Sequence, residues 1–427
     1  MEGQVSTGFK TESIFKNKNF MLLFIGKLVS QFGDVIYNMA IGWYILSVTS
    51  SAIQMSIYMA LGTVVYIVMG PIGGVIADRY DRKKIIIWMD IIRGIAVAVT
   101  GILMYFNIES IYLFYISSTI LSICGALFVP ASNAMMPMIV DDNQLTKANS
   151  MGGSVGSMAN IVGTIVGGIL YALLGIKIIF VLNAVSYIAC GILEVLITMP
   201  SNNRDNNGQE DSQDKKHIFK ELSESYSFVK NQNGLFILMW FSTIINFILI
   251  PLMAVYVPYI FNQILKVSTE QYSYVGAASA VGFIIGATTI SMLPQRDKIY
   301  KYINMSLIAF SILIFSIYFV MLASSKGILP SKMVVILFIA IYLFIGMANS
   351  ILNIPIGVVV QRLVPNEILG KVTSLLNTLI MAAMPLGMLM GGATADLMPM
   401  NMLLLITSVI FSIITIYLSL QKDIRRI

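Results

Sequence analysis

An all-helical membrane protein of twelve spans, built as two parallel six-helix repeats, is the fold class the sequence predicts. Three observations predict it. The first is composition: apolar residues make up 57% of the 427 residues and charged residues 11%, with mean hydropathy +0.83. Soluble chains carry roughly 25% charged residues, and a soluble enzyme of this size could not bury so much apolar surface. The second is a set of twelve apolar runs of spanning length, since ~20 residues cross a bilayer. The third is an internal repeat.

The runs fall near 20–46, 52–77, 85–106, 111–137, 148–173 and 176–199, then 235–261, 271–293, 299–323, 332–360, 368–395 and 400–420. Strands are excluded because an open sheet cannot satisfy its backbone in lipid, and a barrel would alternate polar and apolar residues. Residues 1–19 are polar and the run after them is too long for a signal core, so no cleavable leader is expected. The chain divides into an N-terminal segment (1–19), a six-helix half (20–199), a linker (200–233), a second half (234–421) and a tail (422–427). Within the linker, Ser201–Asp214 is a flexible polar stretch. Lys216–Lys230 places Ile218, Phe219, Leu222, Tyr226 and Val229 at helical spacing, which predicts an interfacial amphipathic helix.

The formal charge of +6 could suggest nucleic acid, but its distribution points to membrane orientation. With the N-terminus inside, twenty-one cations fall in gaps on that side, among them Arg79, Arg82, Lys83, Lys84, Arg362 and Lys371. Four, Lys177, Lys266, Lys326 and Lys332, fall on the other. The positive-inside rule then puts both termini in the cytoplasm and requires an even number of spans.

The repeat aligns residues 140–168 with 364–392. Eight positions are identical, including Lys147/Lys371, Gly163/Gly387, Gly167/Gly391 and Gly168/Gly392. Parallel repeats place a substrate path at their mutual interface near mid-membrane, and the glycines let helices approach closely.

Between spans 2 and 3 lies Gly73–Ile85, GGVIADRYDRKKI, a carboxylate and four cations in one short turn. Topogenic charge alone would account for the cations and leave Asp78 without a role. The stretch resembles the signature loop of the major facilitator superfamily, G-x-L-A-D-R-x-G-R-K. Gly74, Asp78, Arg79, Arg82 and Lys83 match, Ile76 stands at the Leu position and Asp81 replaces the second Gly. The resemblance covers nearly the whole chain, and GKLVSQFGD in span 1, ADRYDRKKIIIWMDIIR into span 3 and FVLNAVSY in span 6 look most like the bacterial macrolide-efflux-type branch. It implies the major facilitator fold and a conformational gate: Asp78 against the helix starting near Glu367–Lys371, whose dipole favours an anion, and Arg82 or Arg79 against Asp141 or Asp142. Two features depart from antiporter patterns. Thr164 replaces the proline expected in Gly163–Gly168, with Pro385 preceding the repeat copy, and Leu121 stands where a span-4 arginine is expected.

Span 1 carries Lys27, Gln31, Asp34 and Asn38. At ~100° per residue they share about 60° of helix arc, and Asp34 lies about 20 Å from Phe20 at ~1.5 Å per residue. An ionisable group at that depth costs roughly 2.5–3.5 kcal/mol, so a wet cavity is its expected surroundings. A structural Lys27–Asp34 pair is the alternative. In a cavity, the Asp34 carboxylate could exchange a proton or hold a cationic substrate. Asp90 and Arg93 are three apart in span 3, near its cytoplasmic end, and form a structural or gating pair. Glu194 lies close enough to the end of span 6 to snorkel. In the second half, Asn246 (with Ser242), Asn349 and Asn353 are either cavity contacts or packing groups. The 28 Met and 22 Phe suit an adaptable pocket for bulky ligands and suit lipid contact equally.

Catalytic and metal chemistry find no support. Cys124 and Cys190 lie in apolar runs and His217 in the polar linker. Gly152–Gly156 (GGSVG) opens a membrane helix and not a nucleophile elbow. No ATP-binding glycine-lysine loop is present. The expectation is therefore a monomeric bacterial cytoplasmic-membrane transporter without cofactor, exporting bulky amphipathic or cationic small molecules on the proton gradient. Export of one physiological compound (a siderophore or lysolipid), nutrient uptake, and a non-transporting sensor or scaffold are the alternatives.

Overall fold

The computed structural model describes residues 13–199, 226–292 and 299–421. Among these, eleven helical segments are long and apolar enough to cross a membrane. We number them α1 (Lys18–Thr49), α2 (Ala52–Arg79), α3 (Arg82–Tyr105) and α4 (Ile111–Ile139), then Leu145–Val195. After the linker come α7 (Asn233–Ile264), α8 (Thr269–Met292), α9 (Tyr300–Ser325), α10 (Ser331–Leu363), α11 (Asn366–Leu397) and α12 (Met400–Leu420).

The 51-residue segment Leu145–Val195 is two spans. A straight helix of that length would reach about 76 Å at ~1.5 Å per residue, more than twice the ~30 Å hydrocarbon core. Gly175 interrupts it with φ 72° and ψ 174°, a backbone conformation only glycine adopts freely. The limbs α5 (145–174) and α6 (176–195) then run antiparallel to each other, and both pack on α1. A Cβ on Gly163 would sit 3.1 Å from Val35, while one on Gly33 would sit 2.5 Å from Asn183 of the returning limb. Twelve passes result.

The α2–α3 turn carries Arg79, Arg82, Lys83 and Lys84 and marks what we call the basic end. At the opposite, far end, the two halves touch. The glycine triplets related by the repeat divide this work identically. Gly163 and Gly167 press on Val35 and Ile36 of α1, and Gly387 and Gly391 press on Phe247 and Pro251 of α7. Each third glycine crosses to the other half: Gly168 meets Ser273 of α8, and Gly392 meets Ser56 of α2. Each of those serines sits four residues after the first residue of its helix. Trp43 stacks on Tyr272 at 5.3 Å, and Gln263 donates to the Leu46 carbonyl at 2.6 Å, closing the far end further. At the basic end Gly74, Gly357 and Gly370 have no heavy atom within 4 Å of their Cβ positions, so the halves stand apart there.

α7 departs from the regular helix the sequence predicts. Pro251 and Pro258 lack the N–H a helical ladder needs, and the bonding widens to i→i+5 over Pro251–Tyr256 and Ile260–Ile264. The Leu265 amide, for example, donates to the Ile260 carbonyl at 2.8 Å. The widened turn presses Pro251 against Gly391. α11 runs through Pro385 as one helix.

Of the expected amphipathic helix Lys216–Lys230, only residues from Tyr226 onward lie among the described ones. These are helical, and Val229 is buried in one cluster with Val364 and Val372 at the basic end.

Substitutions at closely packed and open glycines separate these packing roles. A Cβ at Gly346 would lie 2.8 Å from the Phe283 amide nitrogen of α8 and closer still to the Ser279 carbonyl, whereas Gly357 on the same helix has open space. Gly346→Val should cost about 1–3 kcal/mol of stability. Gly357→Ala should be neutral or slightly stabilising through helix propensity. Thermal unfolding of the detergent-solubilised protein reads both.

Candidate functional site

Two cavities, one in each half, hold polar residues that sequence singles out within the spans. The smaller, about 270 Å³, lies in the first half. Its wall holds the four α1 residues singled out by spacing, Lys27, Gln31, Asp34 and Asn38, together with Ser30, Tyr66 and Arg93. The shared helix face and the interior position follow from the spacing noted above; the partners do not. Asp34 accepts a hydrogen bond from the Tyr187 hydroxyl of α6. Asn38 donates to the Asp34 backbone carbonyl at 2.8 Å and accepts from Tyr58 of α2 at 2.9 Å. Among the described residues no ion pair joins Lys27 to Asp34, so the structural-pair alternative is not the arrangement adopted.

Arg93 organises this wall. It pairs with Asp90 at 3.2 Å, both side chains being buried. Its guanidinium lies 4.8 Å from the Phe128 ring centre and 5.5 Å from that of Tyr187, so the same tyrosine touches Asp34 and Arg93. Two expectations need correction here. The Asp90–Arg93 pair forms as expected but lies deeper than the basic end: Arg93 is eleven residues beyond Arg82, about 17 Å along α3 at ~1.5 Å per residue, and lines the cavity. Glu194 does not snorkel: it is 1% exposed, one turn beyond Gly191, whose Cβ position is 4.0 Å from Asp90. The helix crossing at Gly191 draws Glu194 inward.

Arg93 also bears on the absence of arginine at Leu121. A Cβ on Gly125 would lie 3.5 Å from the Arg93 guanidinium, so α3 delivers a cation to the face of α4 that lacks one. Tyr66, Tyr187 and Tyr58 were not singled out by sequence. Asn183 and Tyr187, four apart in FVLNAVSY, were the available signal, since that spacing puts both on one face of α6.

The larger cavity, about 810 Å³, lies in the second half. Ser242, Asn246, Asn349 and Asn353 all line it, amid apolar groups such as Phe241 and Phe310. Asn246 donates to the Ser242 carbonyl at 2.8 Å and Asn353 to the Asn349 carbonyl at 3.0 Å. The Asn246 and Asn353 amide N–H groups thus bond along their own helices, and Asn353 also donates to the Asn349 side-chain oxygen. Gln361, Leu369 and Asn377 extend it to the basic end.

The expected latch is arranged otherwise than the resemblance implies. Asp78 has a 76% exposed side chain and pairs with Arg82 of its own segment at 3.6 Å. Arg82 donates to the Ala134 carbonyl of α4 at 3.1 Å and to that of Ala77 at 3.2 Å. Asp141 and Asp142 are exposed and form no ion pair with Arg79 or Arg82 among the described residues. α4 ends before them, so its last-turn carbonyl reaches the guanidinium first. Arg79 is exposed, and Lys83 donates to the Val195 carbonyl at 2.8 Å. Asp81, the departure from the signature, caps α3 through the amides of Lys83 (2.9 Å) and Lys84 (3.2 Å).

Two glycine-matched six-helix halves, each with a cavity at membrane depth, suit a membrane transporter. The sequence profile of the Major Facilitator Superfamily matches residues 23–388, and the chain belongs to that family. It is 26% identical to macrolide efflux protein A of Streptococcus pyogenes over 408 residues, covering 96% of this chain and 97% of that one. It is 23% identical to the multidrug efflux pump Tap of Mycolicibacterium fortuitum, covering 89% and 90% respectively. Among solved structures, a bacterial homologue of the iron transporter ferroportin in its inward-facing state superposes with a TM-score of 0.68 at 16% identity, covering 96% of this chain and 100% of that one.

Breaking a buried pair leaves an uncompensated charge, which costs about 3–5 kcal/mol. Arg93→Gln should therefore lower the unfolding midpoint more than the double variant Asp90→Asn/Arg93→Gln does. A double-mutant cycle on thermal unfolding measures the difference.

Proposed function

We propose that the protein exports bulky amphipathic or cationic compounds across a bacterial cytoplasmic membrane in exchange for protons, working as a monomer. The basic end faces the cytoplasm in this reading, following the cation asymmetry. The described conformation is then inward-facing, with substrate entering from the cell interior or inner leaflet. The relatives named for macrolide and multidrug efflux support the direction and the substrate class. The breadth of the larger cavity and its apolar, amide-dotted wall suit ligands held by shape and weak polar contacts.

The observation that carries the reading is Asp34 in the wall of a membrane-depth cavity, with one hydroxyl partner and no cation paired to it among the described residues. Such a carboxylate can be ionised while the cavity is wet and must be neutralised when the halves close over it, by a proton or by a cationic substrate. Competition between the two for one group couples their movements in opposite directions, and rocking of one half against the other exposes the group to each side in turn. The chain needs no cofactor for this; the gradient supplies the energy.

Reconstitution in proteoliposomes tests it, with an imposed pH gradient and a labelled macrolide or ethidium as probe. Wild-type protein should move the probe only with the gradient. Asp34→Asn should reduce gradient-driven flux tenfold or more while leaving probe binding within a few-fold. Undiminished flux with an unaltered pH profile in Asp34→Asn would remove that residue from the mechanism.

A further inference from the structure

The helices α2 and α11 run antiparallel and end in the same six-residue pattern. α2 closes with Gly73-Gly74-Val75-Ile76-Ala77-Asp78 and α11 with Gly391-Gly392-Ala393-Thr394-Ala395-Asp396. In both the aspartate is the penultimate helical residue, Arg79 ending α2 and Leu397 ending α11. This likeness is separate from the parallel repeat, which pairs α11 with α5. It relates two helices that face each other across the halves, one motif at each end of the bundle.

The far-end copy is engaged. Asp396 accepts hydrogen bonds from the Ser51 hydroxyl at 2.6 Å, the Ala52 amide at 2.7 Å and the Ile53 amide at 3.1 Å. It therefore caps the N-terminus of α2 from the other half, taking two of the amides a helix start leaves without partners. Gly392 packs against Ser56 in the same crossing, with its Cβ position 2.8 Å from the Ile53 Cα. The basic-end copy is idle. Gly74 meets nothing within 4 Å, and Asp78 is exposed with Arg82 beside it.

We propose that Asp396 is the far-end counterpart of the Asp78 gate that the family resemblance implies, a second latch that closes the far end by capping the first turn of α2 and opposes Asp78 in the balance between the two ends. Asp396 on α2 holds the far end shut in the conformation described. When the halves rock, that cap breaks, Gly74 closes on α11, and Asp78 caps the helix start that follows Pro365. The two caps exclude one another because α2 and α11 pivot about their shared crossing. Each cap has the same components, a carboxylate, helix-start amides and a glycine that allows the approach. The exchange therefore replaces one set of bonds by a like set, and neither state is heavily favoured.

The proposal rests on alternating access, but its test needs neither substrate nor gradient, so it fails separately from the transport reading. Cys124 and Cys190 are buried and are replaced by Ala. Ser273→Cys, fully buried against Gly168 when the far end is closed, reports opening through its rate of labelling by an impermeant maleimide. Asp396→Ala, which removes the acceptor of all three hydrogen bonds, should raise that rate at least tenfold. Asp78→Ala should lower it, and the double variant should return to within about twofold of the parent. Asp396→Asn, which keeps one acceptor, should fall between parent and Asp396→Ala. An unchanged rate in Asp396→Ala and Asp396→Asn would overturn the proposal. So would a double variant that labels as fast as Asp396→Ala alone, because that would make the far-end effect a local loosening and not a balance between two ends.

Discussion

Two helix crossings, α5 on α8 and α2 on α11, hold the halves together at the far end, and both exist because a side chain is missing. Gly168 and Gly392 bring backbone against the side chains of Ser273 and Ser56, closer than any Cβ would permit. In lipid there is no hydrophobic gain in pressing one apolar helix on another, so association rests on close packing and on hydrogen bonds between helices. Small residues are therefore what allows a contact to form, and also what lets it break at little cost. The arrangement is symmetric because the repeat copied it: two glycines of each triplet bind the repeat's own first helix and the third crosses over. One end held by such contacts and the other standing open is the asymmetric state that a pair of identical, weak closures produces.

The buried charges impose the second constraint. Asp90 and Arg93 neutralise each other within one helix, and Arg93 then has its face left for Phe128 and, through Tyr187, for Asp34. Arginine suits this position because its planar cation can stack on rings while pairing with a carboxylate, which a lysine ammonium cannot do equally well. Its direct ion pair is with Asp90, and with Asp34 it shares only the Tyr187 contact, so among the described residues Asp34 is in no ion pair.

Sequence reached the architecture because its signals are periodic and redundant. Span lengths, cation asymmetry and the glycine repeat each pointed to twelve helices in two halves, and the face of α1 followed from helical spacing alone. What it missed was set by contacts between helices distant in sequence. Glu194 reads as a helix-end residue until the crossing at Gly191 turns it inward. Arg82 has two acids nearby in sequence, Asp141 and Asp142, yet the last-turn carbonyl of Ala134 is nearer in space. Tyr187 was visible only as part of a soft pattern, because an aromatic residue in a membrane span carries no mark of whether its hydroxyl has a partner. The GGxxAD pattern of α11 was legible in principle, but a search for parallel repeats compares α11 with α5 and passes over α2.

The two halves differ in chemistry although they share a fold, and the difference bears on how coupling can work. The first half has a small cavity with Lys27, Asp34 and Arg93 in its wall; the second has one three times larger, lined by amides, hydroxyls and apolar side chains. A charged group fixed in a large cavity would demand a counter-charge from every ligand and narrow the range accepted. Amide N–H groups already bonded along their own helices are not stranded by a ligand that presents few polar atoms, so the wall tolerates varied ligands. Keeping the ionisable group in the other half lets its charge state change without reshaping the surface that holds the bulk of a ligand. Each cavity is lined by residues of one half alone. In the proposed exchange, coupling would require only that the bundle close more readily when Asp34 is neutral, whichever partner neutralises it.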